Sequence, residues 1–241
     1  MSDAASSLER DGHEYRSLSP DRAEVLARYR RLREIGRRHK SALQKFMSQD
    51  AILQHARRLG LARGRTFILD HIDELTYAFD LAIYTAQPGR SRAIDRYVES
   101  ARASSDPDET LMLDAMRAAC FSLLRIERRH PVIGLVTTDL CRRTERWLID
   151  VGLESSVPDG AMMATRLYTP EDFSMTAGVN VPIDATIMVK LVDELPRHMQ
   201  SQPLEVIVDD RRFAETIYRI ALANGLMDQV EYRDLPDEAG R

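Results

Sequence analysis

Two cysteines and one tryptophan stand in 241 residues, and the longest apolar runs, such as "AACFSLL" and "LEVIV", are short. Each scarcity excludes something. Cys120 and Cys141 cannot form a disulfide framework for a chain this long and are not spaced C-x-x-C, so two reduced thiols in a cytoplasmic protein are expected. Runs of that length fall far below the ~20 residues needed to cross a bilayer, so no membrane span is expected. The opening "MSDAASSLERDGHEYRSLSP" has no apolar core and carries acids as well as bases, which fits neither a secretory signal nor a transit peptide. There is no GxSxG, Walker loop, GxGxxG after a strand, HExxH, EF-hand loop or zinc spacing, and no internal repeat. No cofactor or metal is expected, and an enzyme of familiar type is not indicated.

Hydrophobic residues make up 44% and charged residues 30%, the balance of a globular chain with a heavily charged surface rather than a disordered one. The net charge of −4 conceals an uneven distribution. Residues 21–65 hold thirteen Lys or Arg against Asp21, Glu24, Glu34 and Asp50, a surplus of +9, while residues 66–241 carry −11. A basic arm is joined to an acidic body, a split that suits a polyanionic partner or an arm that docks on its own body.

Helical periodicity dominates as far as residue 120. Ser19, Pro20, Asp21 and Glu24 are start signals for a helix near residue 20. Its apolar seam follows Val25, Tyr29, Leu32, Gly36, His39, Leu43 and Phe46, and a glycine inside that seam implies a close neighbour or a bend. "SQDAILQHARRLG" reads as a second helix, capped by Ser48 or Asp50 and stopped at Gly60. Asp70 is placed to cap a third, with Ile72, Leu75, Phe79, Ala82 and Ile83 as its stripe. "RAIDRYVES" and the Ser-Asp-Pro start of "SSDPDETLMLDAMRAAC" predict two more.

From Phe121 the pattern changes to "FSLLRIERRH", "VIGLVTTDL", "ERWLIDVGL", "AMMATRLYT" and "FSMTAG", short β-rich pieces separated by turns, with "CRRTER" as a hairpin tip. In "WLIDVGL" the residues Trp147, Ile149, Val151 and Leu153 alternate as one buried strand face. Ile183, Ile187, Met188, Leu191, Val192 and Leu195 then form a helical stripe up to Pro196. "LEVIV" fits a helix from Pro203 or a strand, and Phe213, Ile217, Ile220 and Ala221 mark a last helix before Asn224-Gly225. The fold class predicted is α+β: a polar leader (1–19), a helical region (20–120) with the basic arm (21–65), a small five-stranded antiparallel barrel-like module (121–178), and C-terminal helices (179–241).

Candidate contact residues are Arg30, Arg31, Arg33, Arg37, Arg38, Lys40, Lys45, Arg57 and Arg58. Around the seam, Arg30, Arg33, Arg37 and Lys40 share one flank and Arg31, Arg38 and Lys45 the other, which also describes an ordinary solvated helix face. "ILQHARRLGLARGRTFIL" has a faint helix-turn-helix outline, but Gly64 and Thr66 oppose a recognition helix. "DHIDE" with Asp80 gathers ionisable groups that helix-start charge already explains. Trp147, Met162, Met163, Met175 and Met188 read as core filling, or as a contact site if exposed. The expected function is a non-catalytic binding or regulatory protein whose arm and β module meet an acidic protein surface on itself, a second copy or another protein. Nucleic-acid binding through residues 28–65 is the alternative. An enzyme of unrecognised type would need a pocket gathering Asp70, Asp73, Glu74 or Cys120 beside a histidine.

Overall fold

The computed structural model describes residues 21–101 and 106–225, so the polar leader, the start signals Ser19 and Pro20, and the polar end after residue 225 lie outside the described residues. Among those described, ten α-helices accompany a two-stranded hairpin and a five-stranded antiparallel sheet. In chain order they are α1 (Arg22–Leu43), α2 (Gln49–Leu59), the hairpin β1 (Ala62–Arg63) and β2 (Thr66–Phe67), α3 (Leu75–Tyr84), α4 (Ala93–Ala101) and α5 (Pro107–Arg117). Then come β3 (Cys120–Arg129), β4 (Leu135–Asp139), β5 (Thr144–Leu148), α6 (Val151–Ser156), β6 (Met162–Tyr168) and β7 (Met175–Ile183). The chain continues through α7 (Ala185–Glu194), α8 (Arg197–Gln200), α9 (Leu204–Ile207) and α10 (Arg211–Ala223). "LEVIV" is therefore helical.

Five of the predicted seam residues of α1, Tyr29, Leu32, Gly36, His39 and Leu43, are buried with Ile35 added, while Val25 is half-buried and Phe46 lies in a 3-10 turn beyond the helix end. Gly36 marks close approach, since a Cβ there would lie 3.3 Å from Cε of Met112 on α5. Side chains such as Leu32 and Ile35 each contribute roughly 1.5–3 kcal/mol when fully buried, so the seam and not the flanking charges holds α1 in place. Ser48 caps α2 by accepting from the Ala51 N–H at 3.1 Å, and Gly60 ends it. The β1–β2 hairpin comes directly after Gly60, so no recognition helix exists here.

Three local expectations need correcting. Asp70 does not cap α3; its own N–H donates to Glu74 Oε2 (3.1 Å), and a 3-10 turn over Ile72–Glu74 leads into the helix. Ile72 is consequently 72% exposed, while α3 is buried nearly all round, including the polar Asp80. In "WLIDVGL" the strand stops at Leu148 because Asp150 accepts from the Leu153 N–H (3.2 Å) and starts α6. Val192, assigned to the buried stripe of α7, is 59% exposed.

The large sheet has the order β5-β4-β3-β6-β7, every pairing antiparallel. Along β3 the faces alternate: Phe121 and Leu123 pack with α2, α3 and α10, while Leu124 and Ile126 pack with Leu135, Leu148 and Met163. The sheet is not closed, which corrects the barrel-like expectation. Its edge strands meet only through one parallel bridge, Leu148 to Ser174, where the Ser174 N–H donates to the Trp147 carbonyl at 2.7 Å. Beyond that bridge β7 is met by cations of α1 instead of a strand: Arg33 donates to the Thr176 carbonyl and Lys40 Nζ to the Ala177 carbonyl (2.9 Å). The "CRRTER" tip is present as the turn between β4 and β5. Met163 and Met175 are core residues, and half-buried Trp147 stacks on His130 with ring centroids 4.2 Å apart.

Candidate functional site

The candidate basic residues divide by partner. Arg31 pairs with Asp106 and Asp108, Arg38 with Glu109 (3.2 Å), Arg37 with Glu34 (3.8 Å) and Arg58 with Glu215 (3.4 Å). Arg57 donates to the Gly64 carbonyl (2.5 Å), and Arg33 and Lys40 go to β7. Arg30 and Lys45 are exposed, with no partner among the described residues. Outside the candidate set, Arg28 bridges Asp108 (2.7 Å) and Glu171 (2.6 Å), and Arg22 reaches Glu154 (3.2 Å). Its bond to Glu171 holds the Arg28 guanidinium still more firmly charged. α1 thus lies against acids of its own body at the start of α5. Most of these pairs are solvent-facing and worth little each, so Arg38→Ala is expected to lower unfolding free energy by less than about 1 kcal/mol in urea titrations.

The groups considered for catalysis do not converge. Asp70, Asp73 and Glu74 belong to the turn before α3, and among the described residues no three His, Cys, Asp or Glu are grouped to hold a metal ion. Burial pushes the Cys141 thiol up to about 11, an inert state.

Cys120 does line a cleft, but without a histidine, and the other residues of that cleft were not anticipated from the sequence. A cavity of about 760 Å³ opens where four distant segments meet: the α3–α4 connection, the start of β3, Arg166 on β6, and the α9–α10 junction. That volume lies in the range of small-molecule sites, roughly 300–1,000 Å³. Five arginines line it, Arg90, Arg92, Arg166, Arg211 and Arg212, with Asp209 and Asp210.

Those charges are unequally spent. Asp210 caps α10 through the Arg212 N–H and pairs with the Arg212 side chain (2.6 Å), and Asp209 is held by Arg142 (2.5 Å). Arg92 pairs with Asp95 (2.8 Å), whose hydrogen bonds to Arg92 lower its carboxyl below the ordinary value. Arg90 and Arg211 have no side-chain partner among the described residues. Both add positive charge without a hydrogen-bonded counter-ion, Arg211 being attracted only from a distance by Asp210, beside the N-terminus of α10, whose dipole also favours an anion.

Arg166 is the anchored member. Its residue is 6% exposed, and its guanidinium lies over the Tyr84 ring at 4.5 Å. Nε donates to both oxygens of Asp80 (2.9 and 3.2 Å) and Nη2 to one of them (2.9 Å), while the Tyr218 hydroxyl donates to Asp80 at 3.0 Å. Nη1 has no hydrogen-bond partner among the described residues, and Arg166 is one of the residues that line the cleft. Burial raises the phenols of Tyr84 and Tyr218 well above their ordinary value, so both stay protonated; Tyr218 donates to the ion pair, while the Tyr84 hydroxyl meets that of Tyr168. The arrangement is a fixed, permanently charged fork on the floor of a cavity, with two unpaired arginines as further walls.

No curated protein and no solved structure matches the chain. A family model does match, over residues 23–229, which takes in α1, the sheet, the cleft and α10 together. The chain belongs to this family, described as a family of unknown function (DUF7986).

Proposed function

We propose that this is a non-catalytic binding or regulatory protein acting in the cytoplasm, and that it holds a phosphorylated small molecule in the arginine cleft. The observation that carries this reading is Arg166, which lines the cavity, buried and clamped by an Asp80 that Tyr218 also holds, with Nη1 free of any partner among the described residues. A guanidinium does not give up its proton in proteins, so a wall of such groups suits holding an anion better than moving protons. The cleft exceeds what inorganic phosphate alone would fill, so a ligand with a phosphate at one end and a polar body at the other is favoured.

On the same reading, the acidic surface met by the basic arm is this protein's own, and α1 works as an internal brace. Its pairs to Asp108, Glu109, Glu154 and Glu171 support that role. Nucleic-acid binding keeps Arg30, Lys45 and Arg63 as exposed arm cations without a partner among the described residues. A mobility-shift assay at low salt that leaves RNA and DNA unretarded would remove it.

The cleft is tested by calorimetric titration with pyrophosphate, a mononucleotide and a sugar phosphate at low ionic strength. Binding of at least one probe is expected, with the dissociation constant rising about tenfold for each of Arg90→Ala and Arg211→Ala, as for loss of a charge-assisted hydrogen bond. Both substitutions are at cleft-lining side chains without partners, so the variants should fold. Absence of heat from all probes, or equal affinity in wild type and double variant, would overturn the proposal.

A further inference from the structure

We propose a second anion site, specific for a single tetrahedral oxyanion of the orthophosphate type, in the pocket between α1 and β7 that Arg33 and Lys40 line, with Arg37 at its exposed rim. The pocket has a volume of about 190 Å³, and no carboxylate lines it. A water molecule occupies roughly 30 Å³ of the liquid, so this is room for one oxyanion and a few waters but not for a nucleotide. Gly36 and Gly178 form part of its wall. A Cβ on Gly178, whose φ is +111°, would come within 3.1 Å of Lys40 Nζ, so the bare backbone keeps the space in front of the ammonium.

The cations here have donors to spare. Lys40 Nζ makes one hydrogen bond, to the Ala177 carbonyl, and forms no salt bridge among the described residues. Arg33 uses Nη1 on the Thr176 carbonyl, which leaves Nε and Nη2 without partners among those residues. Arg37 has only Glu34 at 3.8 Å, on the exposed side of the helix. Asp80 attracts Lys40 from a distance, but its oxygens are engaged by Arg166 and Tyr218. Burial lowers the Lys40 pKa, the direction expected of an ammonium that lacks an adjacent counter-ion. Placing a charge out of water with only a carbonyl for company is costly, and an oxyanion bridging Lys40, Arg33 and Arg37 would offset that cost with charge-assisted hydrogen bonds.

This site shares no residue with the arginine cleft and stands or falls separately from it. The experiment is thermal unfolding of the full chain in sodium phosphate against sodium chloride of matched ionic strength, with a dissociation constant from calorimetry. Wild type is expected to bind orthophosphate and to melt higher in it, and Arg37→Gln to weaken binding about tenfold. Lys40→Met should melt no lower than wild type in chloride and lose the phosphate response. The double variant Arg90→Ala/Arg211→Ala should keep that response in full. A wild type that melts alike in the two salts, an Arg37→Gln affinity equal to wild type, a response lost in the cleft variant, or a Lys40→Met protein that melts far lower in chloride would each overturn the proposal. In the last case the ammonium serves only the Ala177 carbonyl.

Discussion

Asp80→Ala is expected to lower unfolding free energy by about 3–5 kcal/mol, the usual cost of removing one partner of a buried ion pair. Asp80 and Arg166 have side-chain exposures of 4% and 7%, and three elements meet at the pair: α3 supplies the acid, β6 the base and α10 the Tyr218 hydroxyl. Without the carboxylate, the Arg166 guanidinium loses three hydrogen bonds while still lying between the Tyr84 and Phe121 rings, and the Tyr218 hydroxyl loses its acceptor. For a chain of this size the melting temperature should fall on the order of 10 °C. The double variant Asp80→Ala/Arg166→Met should recover much of the loss, because it removes the orphaned charge and not only its partner. Urea titration of the four proteins in the cycle measures this. A cost below about 1 kcal/mol for Asp80→Ala would mean that water reaches Arg166 freely, and the anchored floor of the cleft would be lost with it.

Acidification from pH 7.5 to 5 is expected to cost about 2 kcal/mol through His55 alone, rising to about 3 kcal/mol at pH 4. His55 on α2 is buried with Nδ1 unpaired, and its pKa is pushed down to about 4, first by burial and then by Arg58 and Arg211. Glu215 stands 3.9 Å away and would act in the opposite sense, but it pairs more closely with Arg58 at 3.4 Å. In the unfolded chain the imidazole titrates near 6.5. Between pH 6.5 and 4 the unfolded state therefore binds the proton that the fold refuses, and stability is lost as pH falls through that window. His39 and His130, also lowered chiefly by burial, add in the same direction. The lowered carboxyls of Asp95 and Asp108 act only at pH values below that window. Urea midpoints at pH 7.5, 6 and 5 provide the measurement, and His55→Gln should flatten the curve. A midpoint independent of pH over this span would show His55 to be solvated.

How much of this was legible in the sequence depends on the range of the cause. The 4-3 spacing from Tyr29 to Leu43 and the cap-and-stop pair Ser48 and Gly60 are local signals, and α1 and α2 follow them. All five segments read as strands contribute to the large sheet, because β-branched runs between turns are also local. The interruption at Asp150 was missed since alternation continues on both sides of it, and only the cap bond to Leu153 shows the change to helix. The cleft as a whole could not be read. Arg166 and Asp80 are 86 residues apart, and each alone looks like a surface charge inside an apolar segment. A weak signal existed in "PGRSR" and "DDRR", where arginines sit at a turn and a helix start, the places from which side chains enter a cavity. The charge asymmetry suited either a polyanionic partner or an arm docked on its own body, and Arg28, Arg31 and Arg38 do pair with acids at the start of α5 and with Glu171.

The bonds from Arg33 and Lys40 to the carbonyls of Thr176 and Ala177 bear on the company this molecule keeps. An open sheet presents unmatched backbone at its margins, a template on which a foreign chain can add itself. Here the margin at β7 is occupied by two long cationic side chains, which cover an adhesive border with fixed positive charge. A chain stripped of α1 would bare that border, and its most direct remedy would be to align with the β7 of a second chain in the same condition.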